Sequence, residues 1–230
     1  MNDARADRVG AATGVVFVVL VAIGLFVVIP TAPAFDSSAV RIQQFYVSHR
    51  RDVQVGLFIA SFGWAFFVWF LGSLVSHLRR AEGRDGRLAG IVLGSGLIVA
   101  ADFIVALAVL AAAAFRPQHT GAELVRTLND LAFLLAVPAA LVATAFFAAI
   151  ARLSLKTGAL PVWLSGLAIL AAIGNGFSVG GVFNDTGAFN AGDGALGFYA
   201  PFISFLLWIL LASVALTGRA GRQTPAGADS

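Results

Sequence analysis

Six stretches of this chain, residues 10–30, 53–77, 88–115, 124–151, 161–183 and 196–217, are apolar over close to the length that crosses a bilayer. About 20 helical residues span the ~30 Å of hydrocarbon. Helix is the choice open to such segments, because hydrocarbon offers no water to satisfy backbone N–H and C=O groups. The rest of the composition agrees. Of 230 residues, 59% are hydrophobic and 12% charged, about half the charge of a soluble domain. No polar segment is long enough to fold alone. The chain is therefore expected to be all-α, a single six-helix transmembrane domain over residues 1–217, followed by a disordered cytoplasmic tail over 218–230.

Orientation follows from the basic residues. With the N-terminus inside, the cytoplasmic segments hold ten: Arg5, Arg8, Arg79, Arg80, Arg84, Arg87, Arg152, Lys156, Arg219 and Arg222. The opposite side holds five: Arg41, Arg50, Arg51, Arg116 and Arg126. The bias predicts both termini in the cytoplasm of a plasma membrane. It also accounts for the net charge of +3 without a nucleic-acid partner, since the basic residues sit at helix ends. Cysteine is absent, which removes disulfides, thiolate metal sites, iron–sulfur clusters and a cysteine nucleophile.

The segments between helices are short, except for residues 31–52. There Asp36, Ser37 or Ser38 can cap a short helix, and Ile42, Phe45, Tyr46 and His49 recur at helical spacing. A helix lying on the outer surface is expected, with its aromatics at headgroup level. Ala32 and Ala34 form an A-x-A pattern like a signal-peptidase site. The preceding apolar stretch is long for a signal sequence and its leader carries Asp3 and Asp7, so a retained helix is expected. The last outer loop, NDTGAFNAGDG, is turn material.

Asp102 stands out within GLIVAADFIVALAVL, where every other residue is apolar. With Leu88 as the start of its helix, it lies about 21 Å along the axis. A carboxylate at such depth costs about 2.5–3.5 kcal/mol on insertion scales. No Lys, Arg or His lies within the apolar core of any segment. The group must then be protonated, hold a mobile cation, face a wet cavity, hydrogen-bond a neighbour, or be exposed to a partner subunit. Ser95 shares its helix face, and Asn175 lies at similar depth two segments later. Asp130 lies nearer the outer edge, with Arg126 at i−4 as a simple partner. The expected site is an outward-facing cavity with Asp102 at its floor and Asn175, Ser95 and Asp130 on its walls.

Other constellations carry less. His49, His77 and His119 sit at loops or helix ends with no close ligand spacing, so neither a haem nor a zinc site is expected. A two-aspartate hydrolytic dyad needs both carboxyls at one depth, which Asp102 and Asp130 do not share. A calcium site from Asp185, Asn190 and Asp193 lacks regular ligand spacing. No cofactor or metal is expected, and no nucleophile, base and oxyanion site fall together, so the reading leans away from an enzyme. Gly90 with Gly94 and Gly176 with Gly180 form GxxxG pairs, whose ordinary meaning is close helix packing, within the bundle or between subunits.

The run YVSHRRDVQVGLFIASFGWAFFVWFLGSLVSHLRRAEG, followed by RTLNDLAFLLAVPAAL and KTGALPVWLSGLAIL, resembles a group of uncharacterised six-helix integral membrane proteins of high-GC bacteria. The likeness spans most of the chain, rests on hydropathy and loop punctuation, and implies a plasma-membrane protein without transferring any catalytic residue. The expected function is binding or translocation of a small cationic or protonatable solute, or a proton, with a homodimer as a possible complete pathway. The alternative is an accessory or assembly protein packing against a partner complex.

Overall fold

The structure, a computed structural model, describes residues 3–220. The tail beyond residue 220, and with it Arg222, lies outside the described residues, as do the side chains of Asp3, Arg5, Asp7, Arg8 and Arg219.

Among the described residues there is no strand. Seven helices follow one another: α1 (Asp3–Ala22), α2 (Ala39–Ser48), α3 (Arg50–Glu82), α4 (Arg87–Phe115), α5 (Ala122–Thr157), α6 (Val162–Ser178) and α7 (Ala200–Ala220). All but α2 are long and apolar enough to cross a membrane, counting the turns that extend α1, α6 and α7. Those extensions are a π-helical turn Ile23–Val28 after α1, a 3₁₀ turn Val179–Phe183 after α6, and a π-helical turn Ala195–Tyr199 before α7.

Glycine and proline set the boundaries. α3 stops at Gly83 (φ 81°) and α5 at Gly158 (φ 70°), left-handed positions that a glycine takes without a Cβ penalty. Each passes its amide back to the helix: Gly83 to the Arg79 carbonyl and Gly158 to that of Ser154. Pro161 precedes α6 with φ already helical, and α4 is capped by Glu82, whose two oxygens accept from the amides of Leu88 and Ala89 at 2.8 and 2.9 Å.

The helices alternate in direction, so both termini reach one end and α2 closes the other. The Ser213 hydroxyl donates to the Ala11 carbonyl, joining α7 to α1 near the termini. The Trp208 indole N–H donates to the Leu164 carbonyl of α6 at 3.0 Å. Between these contacts the middle of the bundle is filled by rings. Phe17 meets Trp64 edge-on at 5.0 Å, Phe67 meets Phe205 at 5.7 Å, and Phe147 meets Trp208 at 5.6 Å. All of these side chains are buried. The aromatic richness of α3 thus divides: Trp64, Phe67 and Phe70 enter this core, while Phe58, Phe62 and Trp69 face outward.

The Gly90/Gly94 pair does not pack within this bundle, since a Cβ on either would meet nothing within 4 Å. Gly176 and Gly180 reach only ordinary contact, with Thr144 at 3.7 Å and Phe189 at 3.8 Å. Close approach falls instead at Gly24 and Gly56, which face each other between α1's π turn and α3. Ser38 caps α2, accepting from the Arg41 amide at 3.4 Å, and Ile42 and Tyr46 are buried in the end of the bundle.

Candidate binding cavity

Burying one face of α2 against the bundle end leaves a space beneath it. This cavity of about 290 Å³ is lined from α2, α3, α4, α5 and α7, from the two π turns, and by the loops around Pro33 and Asp193, a volume at the lower edge of ligand pockets, about 300–1,000 Å³. Its walls are apolar: Leu57 from α3, Phe103, Ala106 and Leu107 from α4, and Ala132 and Phe133 from α5. Both π turns contribute, Leu25 and Phe26 from one, Phe198 and Tyr199 from the other. π turns inside helices recur at functional sites because the extra residue re-aims the side chains.

Polar groups collect at the α2 side. The Tyr46 hydroxyl donates to Asn129 Oδ1 at 2.9 Å. The Asn129 amide nitrogen in turn donates to Asp130 Oδ1 at 3.3 Å, and Arg126 Nε lies 3.6 Å from Asp130 Oδ2. Burial first, and the Asp130 charge second, push the Tyr46 hydroxyl well above the ordinary phenol range. It stays a neutral donor at physiological pH. The lining therefore holds the Tyr46 and Tyr199 phenols, the Thr31 hydroxyl, the Asn129 amide, one carboxylate at Asp193, and no Lys, Arg or His.

Phe35 makes the roof. Its amide donates to Asp193 Oδ2 at 2.9 Å, and its ring meets Phe133 edge-on at 5.9 Å. The ring lies so close over Gly192 that a Cβ there would overlap it. The 184–194 loop under it is more ordered than turn composition alone indicates. Buried Asn190 donates to the Asp185 carbonyl at 2.5 Å and accepts from the Gly192 amide at 2.6 Å. These bonds engage the Asn190 side chain at both its oxygen and its nitrogen.

The floor is also aromatic. Phe198 stacks on Phe202 at 5.6 Å, and Phe202 lies 5.5 Å from Phe103. Below them is a pocket of about 30 Å³ lined by Asn175 and Ser178, room for about one water.

The four residues picked out in the sequence do not converge. Ser95 is buried and returns its hydroxyl to the Ile91 carbonyl at 2.6 Å. Asn175 is buried and donates to the Ala171 carbonyl at 2.8 Å, on its own helix. Asp130 pairs with Arg126, as the i−4 spacing predicts. Asp102 is half-buried on the margin of α4, beside exposed Ile98 and Val105. Its Oδ2 is buried without a hydrogen-bond partner among the described residues. Its neighbours Phe103 and Ala106 face the cavity; Asp102 lines neither that cavity nor the smaller pocket. The cavity under α2 has its polar lining instead from Thr31, Tyr46, Asn129, Asp193 and Tyr199.

Among the described residues no cluster of His, Asp and Glu could hold a metal ion. The six apolar helices define a multi-pass helical membrane protein, and the space under α2 gives it a cavity close to ligand size. Comparison with family profiles, with curated proteins and with solved structures returns no match.

Proposed function

We propose that this protein binds a small amphipathic solute, neutral or cationic at its polar end, in the cavity beneath α2. The observation that carries the reading is the lining itself: apolar walls, one carboxylate, and no basic residue to receive an anionic head. The apolar part fits between Phe103, Leu107 and Phe133, with its amine or hydroxyl toward Asn129 or Asp193. Phe26 and Tyr199 line the cavity yet are 48% and 41% exposed. A solute dissolved in the bilayer therefore has a lateral way in between α1 and α7. In the orientation favoured by the arginine distribution, this end faces outward across the plasma membrane. The ring-filled middle of the bundle supports capture rather than an open channel; passage onward requires those rings to move.

The test is calorimetric titration of the protein in phosphatidylcholine nanodiscs with decylamine, decanol and decanoate. Decylamine is expected to bind most tightly and decanoate least. Ala106→Phe, which fills the cavity, abolishes the heat. Equal binding of decanoate, or binding unaffected by Ala106→Phe, overturns the reading.

A second reading is favoured by Asp102. An unpartnered carboxyl oxygen beside exposed Ile98 and Val105 is where a polar residue of another membrane subunit would dock, as an accessory role or a homodimer requires. Cross-linking through an introduced cysteine at Ile98 distinguishes this, because the native chain has none.

A further inference from the structure

At the termini end of the bundle, the turn between α3 and α4 lies beside the last turns of α5. An open groove of about 680 Å³ runs there, and Arg87, Arg152 and Lys156 all line it. All three are exposed, and among the described residues none has a carboxylate within ion-pairing distance. Two acids share the groove. Glu82 is occupied, with both oxygens accepting amides of the first turn of α4, so its charge is already balanced by that helix end. Exposed Asp85 is left against three cations. The groove does not end in water. It continues along α4 to Ile91, which is 39% exposed on the membrane-spanning part of the helix.

We infer that this groove holds an anionic phospholipid of the adjoining leaflet, its phosphate among Arg87, Arg152 and Lys156 and an acyl chain running down past Ile91. Three unpaired cations at a helix–bilayer boundary match a phosphodiester, and the apolar continuation selects a lipid over a free anion. The site is independent of the cavity under α2, which lies at the other end and has no basic residue in its lining.

Native mass spectrometry of the full chain, released from mixed phosphatidylcholine and phosphatidylglycerol nanodiscs, reads the retained lipid. Wild type is expected to keep one phosphatidylglycerol in preference to phosphatidylcholine. Each cation removed lowers that preference about fivefold, from about 1 kcal/mol per basic residue near a charged surface. Single variants Arg152→Gln and Lys156→Gln test this without relying on the triple variant folding. Arg41→Gln with Arg51→Gln, exposed at the opposite end, is expected to leave the preference unchanged. Three results overturn the inference: no preference in wild type, an equal loss in the opposite-end variant, or displacement of the lipid by inorganic phosphate at millimolar concentration.

Discussion

Tyr46 and Asn129, 83 residues apart in the chain, are joined by a 2.9 Å hydrogen bond that ties α2 to the bundle it covers. Tyr46 is buried, so the bond forms in a medium that does not compete for it. Asn129 also touches Asp130, which Arg126 holds, so the pair anchors α2 to a fixed point on α5.

Removing that hydroxyl should loosen the cover. Tyr46→Phe keeps the ring but deprives Asn129 of its donor, a loss of about 0.5–1.5 kcal/mol, measured as a lower thermal midpoint. The pH dependence has a definite sign. The folded state holds the phenol proton more tightly than the unfolded chain, whose tyrosine titrates near about 10. The stabilisation is fully present below that value and falls as pH rises toward the higher folded value. The wild type should therefore lose stability in alkali more steeply than Tyr46→Phe. Parallel curves would mean that the phenol is not desolvated.

Gly24 and Gly56 allow α1 and α3 to approach where a side chain cannot fit. A Cβ on Gly24 would lie 2.5 Å from the Gly56 carbonyl oxygen and 2.9 Å from the Ala60 nitrogen. Because these obstacles are backbone, Gly24→Ala should cost about 1–3 kcal/mol by forcing the helices apart. Gly94→Ala meets nothing and should change stability little or slightly raise it. Thermal unfolding in detergent compares the two; equal effects would count against the packing described.

The roof over the cavity can be opened by one methyl group. Gly192→Ala places a Cβ into the Phe35 ring and must displace it. The native chain has no cysteine, so Ala132→Cys inside the cavity becomes a clean reporter. Maleimide labelling of that cysteine should speed up several-fold when Gly192→Ala is added. An unchanged rate would show that reagents reach the cavity by another route, such as the side between Phe26 and Tyr199.

Much of the fold was legible because a membrane helix is self-contained. Each satisfies its own backbone, so length and apolarity along one segment suffice, and the spacing of Ile42 and Tyr46 revealed α2 as well. The cavity was not legible in the same way. It is space left between helices, and its polar end depends on Tyr46 meeting Asn129 across the fold. The π turns that bring Phe26 and Phe198 to the cavity wall leave no mark in hydropathy. Asp102 drew attention because charge in oil is costly, but its depth alone says nothing about rotation. About 100° of rotation around α4, the step from one residue to the next, separates Phe103, which faces the cavity, from Asp102 on the margin.

That rotation gives Asp102 a sharp test. Its buried oxygen has no hydrogen-bond partner among the described residues, so within this chain the carboxyl is a liability. Asp102→Leu should favour the inserted fold, up to about 2.5–3.5 kcal/mol on insertion scales, and raise the thermal midpoint in detergent. Asp102→Asn keeps the size and hydrogen-bonding capacity and should shift it less. A partner subunit adds a second readout: if the carboxyl docks a polar group on another chain, Asp102→Leu still stabilises the monomer but abolishes the cross-link at Ile98. Destabilisation of the isolated chain by Asp102→Leu would instead show that the carboxyl has a partner inside the bundle, and would remove the basis for placing another subunit against α4.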